Sequence, residues 1–359
     1  AMTQPTREQV LAVCDRFDFD GAVTDLKVCG NGHINSTYVI TAESGKRYIL
    51  QILNTAIFKD PIGVMNNIAA VTDHIRKGLA EAGEDTERGT MRVVLTKDGA
   101  KGYTDPEGRF WRAYDFVEGT VCRLTVDSPE TFARVGEAFG DFQRRLSDFD
   151  ATKLIESIPN FHNTKKRYAD FLAAVERDAS GRAHLVVEEI KFITDRADKC
   201  SLIVDALESG DLPLRVTHND TKINNVLFDY DGNGLCVIDL DTVMPGSLLY
   251  DFGDAMRTGA STGAEDETNL DLVQFDLAKF EAFTAAFLEE LGDSMTERER
   301  ELLPYSALII TLEQATRFLA DHINGDLYYH IHRENHNLDR ARTQLKLVCE
   351  IEKLLPKMQ

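Results

Sequence analysis

The chain has 359 residues, 43% of them hydrophobic, and a formal net charge of −20. A length of this order exceeds what one small core serves and fits two lobes, and the apolar content can fill both. The acidic excess argues against nucleic acid and anionic membrane surfaces as partners, since each needs a basic face, and favours a small-molecule substrate. The cysteines (Cys14, Cys29, Cys122, Cys200, Cys236 and Cys349) are dispersed without a Cys-x-x-Cys pair. That reads as reduced, cytoplasmic usage. No apolar run approaches the roughly eighteen residues of a membrane helix, and there is no signal-like stretch at the start.

In chain order, residues 23–116 alternate strand and turn signals around one inserted helix. Gly30-Asn31-Gly32 lies between the first two strands, where it is either a plain hairpin turn or a loop that covers phosphates. Residues 37–41 and 47–53 predict a hairpin around Glu43-Ser44-Gly45, and residues 93–95 and 109–116 are further strands. Between them Asp60-Pro61 starts a helix as cap plus first-turn proline, with an apolar stripe of Met65, Ile68, Val71, Ile75 and Leu79. The expectation is a five-stranded sheet with one helix on it. After Glu118-Gly119 the periodicity turns helical: Ser128-Pro129 caps a helix whose Phe132, Val135, Phe139, Phe142, Leu146 and Phe149 share a face. Helical patterning recurs through 165–208, 271–291, 302–323 and 338–355. A β-rich lobe of residues 1–117 and a helical lobe of residues 118–359 are expected.

Within the helical lobe sits an island of short strands, 214–216, 226–228 and 235–238, around Thr217-His218-Asn219-Asp220-Thr221-Lys222-Ile223-Asn224-Asn225 and Ile238-Asp239-Leu240-Asp241. Each of these polar residues alone could be ordinary turn chemistry, with side chains bonding nearby backbone. Their joint spacing, His-x-Asp-x-Lys-x-x-Asn followed by an Asp at the end of the next hairpin, is that of a kinase catalytic loop. Asp220 is the candidate catalytic base, Lys222 puts a positive charge beside the moving phosphoryl group, and Asn225 and Asp239 offer oxygens to Mg2+, with ATP as the donor. A literal Asp251-Phe252-Gly253 lies too far along the chain from Asp220 for the hairpin that joins base to metal ligand, so Asp251 is read as structural. His330, His332 and His336 lack a completing ligand set, and no zinc is assigned.

A small antiparallel sheet lobe with one helix, followed by a larger helical lobe carrying this loop, resembles the α+β, bilobal protein-kinase-like fold of aminoglycoside and choline phosphotransferases. More narrowly, residues 30–38, 215–222 and 238–242 and Met244-Pro245-Gly246-Ser247 resemble the bacterial N-acetylhexosamine 1-kinase family. That resemblance implies transfer from ATP and Mg2+ to the anomeric hydroxyl of N-acetylglucosamine or N-acetylgalactosamine, giving the α-1-phosphate. It implies that Gly30, Asn31 and Gly32 cover the phosphates and that Asp115, Phe116, Val117 and Glu118 meet adenine through backbone groups. His33, Arg317 and Tyr328, with Asp220, would contact the sugar. One departure stands out: the strand that ends in an ATP-binding lysine in the wider kinase pattern reads Tyr48-Ile49-Leu50-Gln51 here. Gln51 can hydrogen-bond phosphate but brings no charge. Other readings are a kinase for another small hydroxyl compound, such as an aminoglycoside, choline or homoserine, or a non-catalytic nucleotide or sugar sensor. A single tryptophan, Trp111, offers choline little aromatic cage. The protein is expected to act as a monomer.

Overall fold

A computed structural model describes residues 3–29 and 36–359. In chain order the elements are α1 (Arg7–Cys14), β1 (Val23–Cys29), β2 (Thr37–Ala42), β3 (Arg47–Leu53), α2 (Pro61–Glu81), β4 (Val93–Val94), β5 (Tyr103–Thr104), β6 (Phe110–Asp115) and β7 (Val121–Cys122). There follow α3 (Pro129–Arg145), α4 (Thr164–Arg177), α5 (Val187–Thr194), α6 (Ala197–Ser209), β8 (Arg215–Thr217), β9 (Val226–Phe228), β10 (Gly234–Val237), β11 (Met244–Gly246), α7 (Leu248–Gly259), α8 (Leu277–Leu291), α9 (Glu297–Asn324) and α10 (His336–Met358). They form two compact units. The first comprises residues 1–122, 152–159 and 226–244, and the second comprises 123–151, 160–225 and 245–359.

The first unit is built on an antiparallel sheet of order β1-β2-β3-β6-β4, with β5 also pairing β6. The five-strand expectation therefore gains a strand, since two residues at Tyr103-Thr104 are too short to show alternation. One face of the sheet carries Tyr38, Ile40, Tyr48, Leu50, Trp111 and Ala113, which form a single cluster with Val10, Val13 and Cys14 of α1 and with Phe17 and Phe19. Helix α1 was not expected from the pattern. It is short, but its Thr6-Gln9 capping box is complete. Helix α2 starts as expected, Asp60 accepting the Gly63 N–H at 2.9 Å with Pro61 in the first turn. A second sheet of order β10-β9-β7 belongs to the same unit. Its β10 is half-buried, with Cys236 enclosed.

The second unit is helical. Helix α3 starts at Ser128-Pro129 and lays Phe132, Val135, Phe139 and Phe142 inward. Glycines at 136 and 140 let α8 approach its backbone closely, because a Cβ on Gly136 would stand 2.6 Å from the Phe283 carbonyl oxygen. Phe132, Phe252, Phe283 and Phe287 interlock across that contact. The 165–208 periodicity resolves into α4, α5 and α6, broken where Asp178 adopts the left-handed conformation and Ala183–Leu185 forms a 3-10 turn. None of the described helices is long and apolar enough to cross a membrane.

Candidate active site

In the second unit, β8 delivers the chain into the His218–Asn225 loop, and buried carboxylates hold the loop backbone in place. Asp251, in the first turn of α7, accepts the His218 N–H at 2.9 Å and the Asn219 N–H at 2.7 Å. Gln143 of α3 donates to the same carboxylate at 2.6 Å and to the Val216 carbonyl at 3.0 Å. One turn further on, Asp254 accepts the Thr221 N–H at 2.8 Å, while the Thr221 hydroxyl donates to the Asp251 carbonyl at 2.7 Å. Burial pushes the Asp251 carboxyl above the usual aspartate range, against the opposing pull of His218, the two amides and Gln143. Asp251 thus braces backbone, as its position in the sequence suggested.

Between these anchors Asn219 sits at φ 72°, a left-handed conformation that asparagine tolerates better than most residues. The His218 ring is fully buried against the edges of Phe139 and Phe142, with centroids at 5.4 and 5.7 Å, and its Nδ1 accepts the Asp220 N–H at 3.1 Å. The Asp220 side chain is 29% exposed, with Lys222 Nζ 3.5 Å from its Oδ1. Asn225 closes the loop by donating its Nδ2 to the Asp220 carbonyl at 2.7 Å. That bond commits the amide nitrogen and leaves the amide oxygen to offer a cation.

In the first unit, the β9–β10 hairpin is set by Asp229, whose Oδ1 accepts the N–H groups of Asp231 and Asn233, both at 2.9 Å. The hairpin leads to Asp239, exposed and at φ 59°. Two residues on, Asp241 takes a bidentate grip from Arg112 of β6, with Nη2 donating at 2.9 Å and Nη1 bonding the other oxygen. Asn67 of α2 fastens the same segment, donating to the Val243 carbonyl at 3.1 Å. A carboxylate such as Asp239 in this unit and an amide oxygen such as that of Asn225 in the other are each hard oxygen donors of the kind Mg2+ selects.

Gln51, in the lysine position, donates to the Thr37 hydroxyl at 3.4 Å and accepts from Arg112 Nε at 3.1 Å. Along the predicted adenine-binding stretch, the Asp115 and Phe116 N–H groups donate to the Arg92 and Arg47 carbonyls. The Asp115 carboxylate is held by Arg92, and Glu118 by Arg47. Gly30, Asn31, Gly32 and His33 lie outside the described residues.

Back in the second unit, Arg317 on α9 lies among three rings, its guanidinium carbon 5.9 Å from the Phe161 centroid and 5.6 Å from those of Tyr328 and Tyr329. The two carboxylates that flank it in sequence are engaged elsewhere. Asp321 accepts the N–H groups of Leu327, Tyr328 and Tyr329, which fixes the turn carrying Tyr328. Glu313 is fully buried, 2.8 Å from His162 Nδ1 and 2.9 Å from the Thr164 hydroxyl. Burial favours neutral forms of this pair, but mutual attraction wins: His162 is raised and Glu313 lowered from their ordinary values. His336 has structural partners, its Nδ1 accepting the His332 N–H and its Nε2 lying 2.9 Å from Asp266.

Sequence reasoning missed Arg112, Gln143, His162 and Glu313. Arg112 alone carried a signal, as a lone charge within the apolar strand Phe110-Trp111-Arg112-Ala113-Tyr114.

An antiparallel sheet lobe followed by a helical lobe that carries this loop is the architecture of aminoglycoside-phosphotransferase-like kinases. The model of the phosphotransferase enzyme family (APH) matches residues 25–291, and the chain belongs to that family. Among solved structures, it is similar to an aminoglycoside phosphotransferase from Alicyclobacillus acidocaldarius subsp. acidocaldarius DSM 446, at 16% identity and TM-score 0.62 over 100% of this chain and 98% of the other. A microcompartment-associated aminopropanol kinase matches at 17% identity and TM-score 0.59 over 97% of each chain. An amicoumacin kinase solved with AMP-PNP and Ca2+ matches at 14% identity and TM-score 0.59, over 97% of this chain and 94% of the other. At these identities the likeness speaks to the fold.

Proposed function

We propose that this phosphotransferase is an ATP- and Mg2+-dependent kinase, acting as a cytoplasmic monomer on the anomeric hydroxyl of N-acetylglucosamine and N-acetylgalactosamine to give the α-1-phosphate. The observation that carries the kinase part is the catalytic loop: its backbone is bonded at three amides by Asp251 and Asp254, while the Asp220 carboxylate stays accessible beside Lys222. The sugar part rests on the resemblance of residues 215–222, 238–242 and 244–247 and on a polar Arg317 surrounded by rings, which can offer hydrogen bonds and apolar contact to one pyranose.

In this reading Asp220 accepts the proton of the 1-hydroxyl as the sugar oxygen attacks the γ-phosphorus in line, the bond to the ADP oxygen breaks, and the proton passes from Asp220 to solvent. Lys222 offsets charge on the transferring group. Bound magnesium, on Asn225 and Asp239, would neutralise phosphate charge. Gly30, Asn31 and Gly32 cover the phosphates, and Gln51 adds a neutral contact. Backbone groups between Asp115 and Glu118 meet adenine, the Asp115 and Phe116 N–H groups being engaged with the Arg92 and Arg47 carbonyls. His33, Arg317 and Tyr328 hold the acetamide and ring hydroxyls.

The test is ADP release with a panel of free sugars, their 1-O-methyl glycosides, choline and aminoglycosides. Both N-acetylhexosamines are expected to turn over, sugars lacking the acetamide to be poorer because committed donors lose their partners, and the methyl glycosides to be inert. Equal turnover of a free sugar and its methyl glycoside refutes anomeric transfer.

A further inference from the structure

The residue opposite Gln51 across β3 and β6 is Arg112, and Thr37 faces Gln51 from β2. Because side chains alternate along a strand, these three form a row on the sheet face away from the α1 cluster. The row is hydrogen-bonded end to end: Gln51 donates to Thr37, and Gln51 Oε1 accepts the Arg112 Nε–H at 3.1 Å. Arg112 then spends both terminal nitrogens on Asp241. It is only 6% exposed. A guanidinium this deep is costly unless fully paired, and a fork-to-fork pair fixes orientation as well as charge.

We propose that Arg112 is a positioning residue: through Asp241 it ties the segment bearing the magnesium ligand Asp239 to the sheet. The inference rests on the reading of the chain as a Mg2+-nucleotide phosphotransferase. Asp241 is two residues from Asp239, and Asn67 grips the same segment at Val243, so the stretch just after Asp239 is fastened at two points. Burial works against the Arg112 cation, but the bidentate Asp241 carboxylate outweighs it and keeps the guanidinium charged. The arrangement also explains Gln51. The Arg112 Nε–H needs an acceptor, which an amide provides, whereas a lysine would set a like charge against a buried guanidinium and compete for Asp241.

The experiment is calorimetric binding of AMP-PNP across a Mg2+ titration, on wild type, Arg112→Gln, Gln51→Lys and the double variant, each checked for folding by circular dichroism. Arg112→Gln should raise the Mg2+ midpoint by about tenfold or more, the scale of one charge-assisted hydrogen bond, while Mg2+-free binding barely moves. Gln51→Lys alone should also raise the midpoint. The double variant, in which the lysine introduced beside the shortened position can pair with Asp241, should recover part of the loss. If Arg112 serves only to neutralise carboxylates, its removal frees Asp241 and lowers the midpoint, and that result overturns the proposal, as does an unchanged one. Should Arg112→Gln fail to fold, Gln51→Lys decides: an equal or lower midpoint overturns the proposal. A wild type that does not bind Mg2+-AMP-PNP overturns the phosphotransferase reading and this inference together, whereas normal wild-type binding with an unmoved Arg112 variant overturns this inference alone.

Discussion

Asp220 and Asp251 are separated in role by what surrounds each carboxylate. Asp220 is accessible and its hydrogen bonds to His218 and Asn225 run through its backbone, so Asp220→Asn keeps shape and fold but removes the proton acceptor. Turnover should fall by about 10²–10⁴-fold, the usual worth of a general base, with AMP-PNP binding retained. Single-turnover kinetics alongside calorimetry check this, and retention of a tenth or more of the activity removes Asp220 from the base role. Asp251 is the opposite case. Asp251→Ala strands the His218 and Asn219 amides, at roughly 1–3 kcal/mol for each buried amide left without a partner, and removes one of the two acceptors of Gln143. A large drop in melting temperature is expected, and an unchanged one refutes the bracing role. In the sequence, the spacing from Asp220 set Asp251 aside as structural in favour of Asp239, because a short hairpin joins base to metal ligand. It could not supply the bracing partners, which arrive from α3 and α7.

At the scale of elements, α9 is organised by its buried polar residues. Helical periodicity predicted a helix over 302–323 but gave no sign that Glu313 turns inward to His162 and Thr164. A pH dependence follows. Glu313 is lowered in the fold, so its contribution is complete above its ordinary value of 4.5 and is lost as pH falls through the folded pKa. His162 is raised, so its contribution is complete below its ordinary value of 6.5 and is lost as pH rises through the folded pKa. The difference in melting temperature between wild type and His162→Gln should therefore be greatest between pH 4.5 and 6.5 and shrink on both sides. A difference that grows from pH 6.5 to pH 8 contradicts a charged pair.

For the molecule as a whole, a net charge of −20 sets the terms on which an anionic nucleotide is met. Added salt should speed association of Mg2+-free AMP-PNP by screening the repulsion, and should leave the KM for a neutral sugar unmoved. Stopped-flow binding and initial rates at low and high ionic strength test this, and slower association with salt refutes net repulsion as the dominant field. The fold class, the β3 and α2 boundaries and the reacting loop were all legible in the sequence. Each rests on short-range physics: alternation, a cap with its proline, and residue types at fixed spacing along a few turns. The pairing of Arg112 with Asp241, the burial of Glu313 on His162, the close passage of α8 over Gly136 and the grouping of residues 226–244 with the first unit were decided only in three dimensions. In each case the partners lie far apart in the chain, and a buried charge or a bare backbone takes whichever partner tertiary packing brings within reach.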